Sequence, residues 1–565
     1  MSAPLVLMVL SAQGMETALR IRSGYPDAVI HGLEGRVQGA DQMFSNFGET
    51  LRQQYGNGNP IAALCSAGIT IRALATVLDN KGAEPPVLAI ADDGSAVVPL
   101  LGGTTGVNVL ARQLSKILDV LPAITTSGEL RFGTCLLNPP AEFHLKNPAD
   151  GKRFIADLLA GKKVHIEGVA PWLEEARLPV DADGPMHIRI TPLDLAPQSN
   201  ELIFHPKTVV IGLTGEARTE DVRNALAAMN IAHSSVACVA ITEAESAKPY
   251  FPQIAADLGA PLRIVATDHA TAKSLVSAFI EKPVNLTGDD SLAIAIAATP
   301  GDIILVGHKR GRLAVIGLGP GDPNFMIPAV KQELQHAEDI LGYETYVRMA
   351  GSFRSDQTIH MTDNREEMQR ARHAFALAAS GRSVVMISSG DPGVFAMGAA
   401  VVEALHESAD PAWHSVDLQI LPGVSAAMAA ASRSGAPLGH DFCILSLSDN
   451  LKPWDIIEKR IALAAEADFA MAFYNPISKP RPWQLPRAIE ILRQYRAPET
   501  PIVLGRDIGR PAETLRVITL AELTPEQVDM RTVILVGSSL TQSFDRIDGG
   551  KWVYTPRWYG TKPTG

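Results

Sequence analysis

Cysteine is scarce in this chain: Cys65, Cys135, Cys238 and Cys443 are scattered through 565 residues with no CxxC among them. That spacing provides neither a disulfide framework nor a zinc site and fits a reducing compartment, so a cytoplasmic protein is expected. Long hydrophobic runs are also missing. None reaches the roughly 18 residues a membrane-spanning helix needs, so no membrane partner is expected. The opening PLVLMVL lacks a basic start and reads as a buried first strand rather than a signal peptide. Basic runs are absent too, with 50 Lys and Arg against 61 Asp and Glu and a net charge of −11. This balance argues against nucleic acid as a partner, whereas an anionic small molecule needs only a local cluster of Arg, Lys and His.

What the chain does contain is ordinary in amount, with 46% hydrophobic and 20% charged residues, and at about 150 residues per domain its length predicts about four domains. Strand-like runs alternate with helical patterns: VLAIAD (87–92), VVIGL (209–213), LRIVAT (262–267), IILVG (303–307), LAVIGL (313–318), SVVMISS (383–389), DFAMAFYN (468–475) and TVILVG (532–537). Segments 107–118 and 331–341 carry helical spacing. The pattern predicts an α/β protein of several domains built on largely parallel sheets. Loop-like stretches near 130–150 and 193–206 and the short basic stretch 308–312 suggest domains at 1–130, 131–206, 207–305 and 311–565.

The densest signal is LAVIGLGPGDP (313–323). An apolar, β-branched run enters a turn holding Gly317, Gly319 and Gly321. Pro320 stiffens the turn, and Asp322 stands before an expected helix with the stripe Ile327, Val330, Leu334 and Ile340. Glycine permits backbone shapes closed to other residues and lets a ligand approach the main chain. A strand feeding such a turn points to a small-molecule site at the strand's carboxyl end. The proline inside the turn separates it from the dinucleotide fingerprint GxGxxG. Related elements follow in order. In SSGDPGVFAMG (388–398), Asp391 either meets a polar ligand or caps the next helix. In LPGVSAAMAAA (421–431), Ser425 and the alanines allow something flat to pack closely. FYNPISKPR (473–481) and VLGRDIGRPAE (503–513) complete the series, the latter with Arg506 and Arg510 flanking a glycine. Any one of these is an ordinary turn; together in one segment they point to one site.

Residues 311–565 resemble the tetrapyrrole methylases of cobalamin biosynthesis, and most closely their precorrin-3B C17-methyltransferase branch. The resemblance is carried by GLGPGDP (317–323), GYETY (342–346), SSGDPGVF (388–395), PGVSA (422–426), GAPLGHDFCILSLSDNLKPW (435–454), FYNPISKPR and GRDIGRPAE (505–513). It implies two α/β lobes with S-adenosylmethionine and substrate in the cleft between them, and a homodimer. The implied reaction methylates carbon 17 of precorrin-3B and contracts the ring to give precorrin-4, with no metal. Residue by residue, it implies Pro320 beside the cofactor, and Ser389, Gly390 and Asp391 at its methionine and ribose end with Val394 close by. Ser425 and Ala426 are implied at the methionine part, Asn475 and Gly509 on the adenosine side. The substrate bears many carboxylates. Arg481, Arg506 and Arg510 are candidate partners because guanidinium groups pair with carboxylates bidentately. His440, Asp441 and Asp449 are candidates for acid–base work, which typically contributes about 10²–10⁴-fold; the aspartates serve equally well as turn caps.

Residues 1–305 resemble the cobalt-precorrin-5A hydrolase family through CSAGITIRALATVL (65–78), PPVLAIADDGSAVVPLLGGTTGVNVLARQL (85–114), ITTSGELRFG (124–133) and VVIGLTGEARTEDV (209–222). The turn at Gly102–Gly103 with Thr104 and Thr105 suits a carboxylate, or is a plain turn before a helix. Two departures bear on catalysis: threonines stand where the family has a histidine, and GLTGEA replaces a glycine-cysteine opening. The amino half is therefore expected to be either a corrinoid-holding module that hands over to other corrin-pathway enzymes, or a second, lactone-opening activity.

Overall fold

The computed structural model describes residues 4–78, 84–103, 105–267, 271–351, 353–354, 356–363, 366–478 and 481–559. It divides into two compact units. One holds Met1–Arg310, Ser352–Asp356 and Asp410–Ser415; the other holds Gly311–Gly351, Gln357–Ala409 and Val416–Gly565.

In the first unit, Val6–Val9, Ile61–Leu64 and Val87–Ile90 are buried at every residue, which is what central parallel strands require. They lie in a six-stranded sheet whose last strand, Val97–Leu101, alone runs antiparallel. A four-stranded sheet follows, made of Phe143–Leu145, Glu201–Pro206, Met186–Ile190 and Val164–Glu167. ELIFHP (201–206), read above as part of a connecting loop, is thus a fully buried strand, because it pairs on both edges. The third sheet has six strands centred on Val209–Leu213 and Val236–Thr242. IILVG (303–307) does not join it. The edge beside Leu262–Val265 is taken by His308–Lys309, and Ile304 and Leu305 are left 59% and 63% exposed.

The second unit contains two lobes. The first is a fully parallel sheet in the order Thr358–Thr362, Asp339–Tyr343, Ser383–Ser388, Arg312–Gly317, Asp417–Leu421. The expected helix after the glycine turn begins later than its stripe suggested. Asp322 caps a single 3-10 turn, Pro328 opens the helix Pro328–His336, and Ile340 belongs to the next strand. The second lobe departs from the parallel expectation. In the order Phe442–Ser446, Ala470–Tyr474, Thr532–Val536, Pro501–Arg506, Thr514–Thr519, only the first pair is parallel. Helix Ala426–Ser434 packs on this second sheet through Ala427, Ala429, Ala430 and Ala431. The alanines therefore make room for the protein's own sheet: a β-carbon on Gly505 would lie 2.9 Å from that of Ala430.

One buried charge cluster braces the first lobe. Asp339, 1% exposed, receives Arg382 and a 2.8 Å contact from His360 Nε2. Burial pushes its carboxyl up, but the hydrogen bonds from Arg382 and His360 outweigh burial and hold it below the ordinary value of 3.8. A depressed carboxyl stabilises the fold above its unfolded pKa and loses that contribution as pH falls through the folded one. Asp339→Asn is expected to lower the unfolding free energy by about 1.5–3 kcal/mol at pH 7, the usual worth of hydrogen bonds to a charged group, since the Arg382 left behind is 39% exposed and reaches solvent. The gap between variant and native chain should close below about pH 4 in denaturant titrations.

Candidate active site

Three neighbouring strands of the parallel sheet, Ser383–Ser388, Arg312–Gly317 and Asp417–Leu421, run into glycine turns at their carboxyl ends. The turns touch backbone to backbone. Gly390 N–H donates to Gly319 O at 2.8 Å and Gly319 N–H to Gly390 O at 3.2 Å. A β-carbon on Gly317 would lie 2.5 Å from Gly390 O; one on Gly423 would lie 2.1 Å from the same oxygen. Only residues without a side chain fit here. The Asp391 carboxylate ties two of the turns together: Oδ1 accepts from Gly393 N–H at 2.8 Å and Oδ2 from Gly423 N–H at 3.0 Å.

The second lobe faces these turns with the end of its strand Ala470–Tyr474. The Tyr474 hydroxyl accepts from Ala427 N–H at 2.8 Å, at the start of the helix that Ser425 caps by accepting from Met428 N–H at 3.3 Å. Burial pushes the Tyr474 phenol up. Asn475 follows at φ 50° and donates to Ser446 Oγ at 3.1 Å. The loop after Pro501–Arg506 closes on the first glycine turn. Arg510 Nε donates to Pro320 O at 3.2 Å, and a β-carbon on Gly509, where φ is 76°, would lie 2.9 Å from Pro320 Cγ.

Between these elements lies a cavity of about 450 Å³. Pro320, Ser389, Gly390, Asp391, Val394, Ser425, Ala426 and Asn475 all line it; Gly509 stands behind Pro320. Of the arginines, Arg510 lines the cavity. Arg506 is outside it, held by Asp507 and Asp529 at 2.9 Å each, and Arg481 turns to Ser448, Ser478 and Asp449. None of the three acid–base candidates reaches it. His440 and Asp441 precede Phe442–Ser446, which runs parallel to Ala470–Tyr474, so they stand at the opposite end of the sheet from Tyr474 and Asn475. His440 Nδ1 is 3.6 Å from Asp441, whose side chain is 82% exposed. Asp449 accepts from Gln484 Nε2 at 3.2 Å.

Other residues complete the wall without having been singled out: Tyr343, Tyr346, Glu367, Arg370, Phe395 and Arg531. The two tyrosines lie in GYETY and Phe395 in SSGDPGVF, so the motifs are visible in the sequence although nothing local shows that these side chains face a cavity. Burial pushes Tyr346 up, with Arg510 opposing it. Glu367 and Arg370 sit on helix Glu367–Ala379, which has no turn to announce it. Arg370 is 2% exposed and donates to Thr362 Oγ1 and Asp363 O at 2.6 Å each.

Residues 312–524 match the family model of the Tetrapyrrole (Corrin/Porphyrin) Methylases. The chain is 49% identical over 250 residues to a precorrin-3B C(17)-methyltransferase from Sinorhizobium sp, covering 44% of this chain and 97% of that one. The chain belongs to the tetrapyrrole methylase family. A cobalt-factor III methyltransferase from Priestia megaterium is 40% identical over 255 residues, 45% of this chain and 46% of its own length. A crystal structure of the methyltransferase CobJ aligns at 50% identity over 44% of this chain and all of that chain, with a TM-score of 0.41. Within this tetrapyrrole methylase, residues 49–129 match a second model, Cobalamin synthesis G N-terminal.

The amino half of the methylase chain has a hollow of its own, about 490 Å³, at the carboxyl ends of its central strands, lined by Leu10, Cys65, Ser66, Ile69 and Asp92 among others. It is not at the glycine pair. Thr105 Oγ1 donates to Glu84 O at 2.6 Å, and a β-carbon on Gly102 would lie 2.7 Å from Pro85 O, so Gly102 is packed against the chain while Gly103 faces open space. Thr104 lies outside the described residues. In GLTGEA, Gly215 O accepts from Lys248 Nζ and Tyr250 OH at 2.8 Å each.

Proposed function

We propose that this chain transfers a methyl group from S-adenosylmethionine to carbon 17 of precorrin-3B, with ring contraction to precorrin-4, in cobalamin biosynthesis. The observation that carries the reading is the convergence of three backbone-packed glycine turns on one cavity, within the segment 49% identical to a precorrin-3B C(17)-methyltransferase. At about 450 Å³ the cavity falls in the range of small-molecule sites, about 300–1,000 Å³. A β-carbon on Gly390 would meet only Ser425 Cα, at 3.8 Å, so the backbone there faces open cavity. That cradle suits a ligand held through main-chain groups.

In this reading Pro320, Ser389, Gly390, Asp391 and Val394 hold the cofactor from the first lobe, and Ser425, Ala426, Asn475 and Gly509 from the second. The cofactor, when bound, supplies an electrophilic methyl group. The chain's own work is to align and to keep water out, and positioning of this kind supplies up to about 7–11 kcal/mol of a barrier. Arg510, with Nε fixed on Pro320 O, keeps its terminal nitrogens for a substrate carboxylate. We assign the chain to the cytoplasm, as a homodimer that passes its product to other corrin-pathway enzymes; no helix among the described residues is long and apolar enough to cross a membrane.

The test is incubation of the full chain with precorrin-3B and S-adenosylmethionine. The expected products are S-adenosylhomocysteine and a pigment heavier by one methyl group; an unchanged pigment mass overturns the proposal. A second reading concerns the amino half, where the family match and the separate hollow favour a corrinoid-binding module. The full chain is expected to bind cobalt-precorrin-5A without releasing its two-carbon fragment. Release of that fragment would make the chain bifunctional.

A further inference from the structure

The cavity is small for the substrate this reading gives it. Its volume of about 450 Å³ lies in the lower half of the range for small-molecule sites, and a macrocycle bearing many carboxylates must rest on its rim. Part of that rim is Phe395. Its backbone is left-handed, with φ 53°, a conformation rare for an aromatic residue. Such strain persists only where the surroundings over-determine it, and it clusters at functional sites. The strained turn leaves Phe395 52% exposed at the cavity. Tyr474 supports it from the second lobe, ring to ring at 5.7 Å, and is itself fixed by the hydrogen bond from Ala427 N–H.

Lys452 Nζ stands 5.6 Å from the centroid of the Phe395 ring. No carboxylate lies within ion-pair distance of it among the described residues. Burial, then Arg460, push its ammonium below the ordinary value, the mark of a cation with no counter-charge. Lys452 belongs to SLSDNLKPW, the run that resembles the C17 branch, whereas Phe395 closes the shared motif SSGDPGVF. A flat apolar face and a bare cation thus stand together beside the cavity, and a polycarboxylate macrocycle offers the complementary features: a conjugated face and anionic arms.

We propose that Phe395 and Lys452 form the docking site of the tetrapyrrole, the Phe395 ring taking the macrocycle's face and the Lys452 ammonium pairing with one peripheral carboxylate. This rests on the methyl-transfer reading for the identity of the ligand. With the ammonium over the ring at 5.6 Å from its centroid, a carboxylate paired to it fixes which edge of the macrocycle turns toward the cofactor. They are substrate-positioning residues.

The test is an absorbance titration of precorrin-3B against the full chain saturated with S-adenosylhomocysteine. Phe395→Ala is expected to weaken binding about 10-fold, the scale set by an aromatic ring's stacking and the apolar area it covers. Lys452→Gln is expected to weaken it about 10-fold, as for a charged hydrogen bond, and to flatten its salt dependence. Lys452→Arg should restore most of the loss. Affinity for S-adenosylhomocysteine, read by calorimetry, should stay within about threefold in all three variants. Unchanged macrocycle affinity in Phe395→Ala and Lys452→Gln overturns the proposal, as does a parallel fall in S-adenosylhomocysteine affinity. A native chain that binds precorrin-3B but methylates none removes the methyl-transfer reading and leaves the docking site standing; one that fails to bind the macrocycle overturns both.

Discussion

Gly423→Ala is expected to abolish methyl transfer and to weaken S-adenosylhomocysteine binding about 10²-fold or more. Alanine is acceptable to the backbone here, since Gly423 is not in the left-handed region; space is the obstacle. The new carbon would lie 2.1 Å from Gly390 O and 2.8 Å from Gly317 O, both main-chain atoms that cannot swing aside. The turns must then part by about 1 Å, and a misplacement of that size costs about 10²-fold in a positioned site. Overpacking adds about 1–3 kcal/mol of destabilisation, which thermal unfolding will read separately. Gly103→Ala is the control, because nothing lies within 4 Å of the added carbon. If Gly423→Ala binds S-adenosylhomocysteine as the native chain does, the three turns do not frame the cofactor.

Asp391→Asn is expected to be nearly as damaging as Asp391→Ala, and calorimetry with S-adenosylhomocysteine is the measurement. Each carboxylate oxygen accepts a backbone N–H, one from Gly393 and one from Gly423. An amide keeps one acceptor and sets its NH₂ against the other N–H, donor facing donor. Hydrogen bonds to a charged group are worth about 1.5–3 kcal/mol, so losing one and opposing it predicts weakening on the order of 10–10²-fold. Glutamate does not rescue, because its extra methylene moves both oxygens out of register. Native affinity in the Asn variant would mean that the brace between turns is unnecessary. The effect runs through the shape of the loops, so the precorrin-3B affinity of the Asn variant should fall less than its cofactor affinity.

Much of the site was readable before the fold. Strand-then-glycine is a local pattern, and parallel topology brings the carboxyl ends of such strands to one edge; Gly317, Gly390 and Gly423 follow three adjacent strands for that reason. Glycine, unlike a charged residue, announces a close approach without naming its partner, and the partners were the other glycines. The acid–base candidates show the limit. His440 and Asp441 carry the right chemistry, but whether they stand at the amino or carboxyl end of their strand depends on where Phe442–Ser446 begins. Arg506 is a candidate carboxylate partner by sequence, and only the fold pairs it with Asp507 and Asp529. Arg370 and Glu367 gave no signal, since a helix face at ordinary spacing does not show what it will meet.

Sequence alone determined that the chain is α/β, that strands feeding glycine turns follow one another in its carboxyl half, and which motifs frame the cavity there, because glycine placement and hydrophobic period are local and survive without knowledge of partners. Tertiary structure decided which side chains share the cavity, that Asp391 braces two turns, that the amino half's hollow lies away from its glycine pair, and that Phe395 meets Lys452. Those pairings join residues far apart in the chain, and their geometry comes from strand order and helix packing, which no short window of sequence contains.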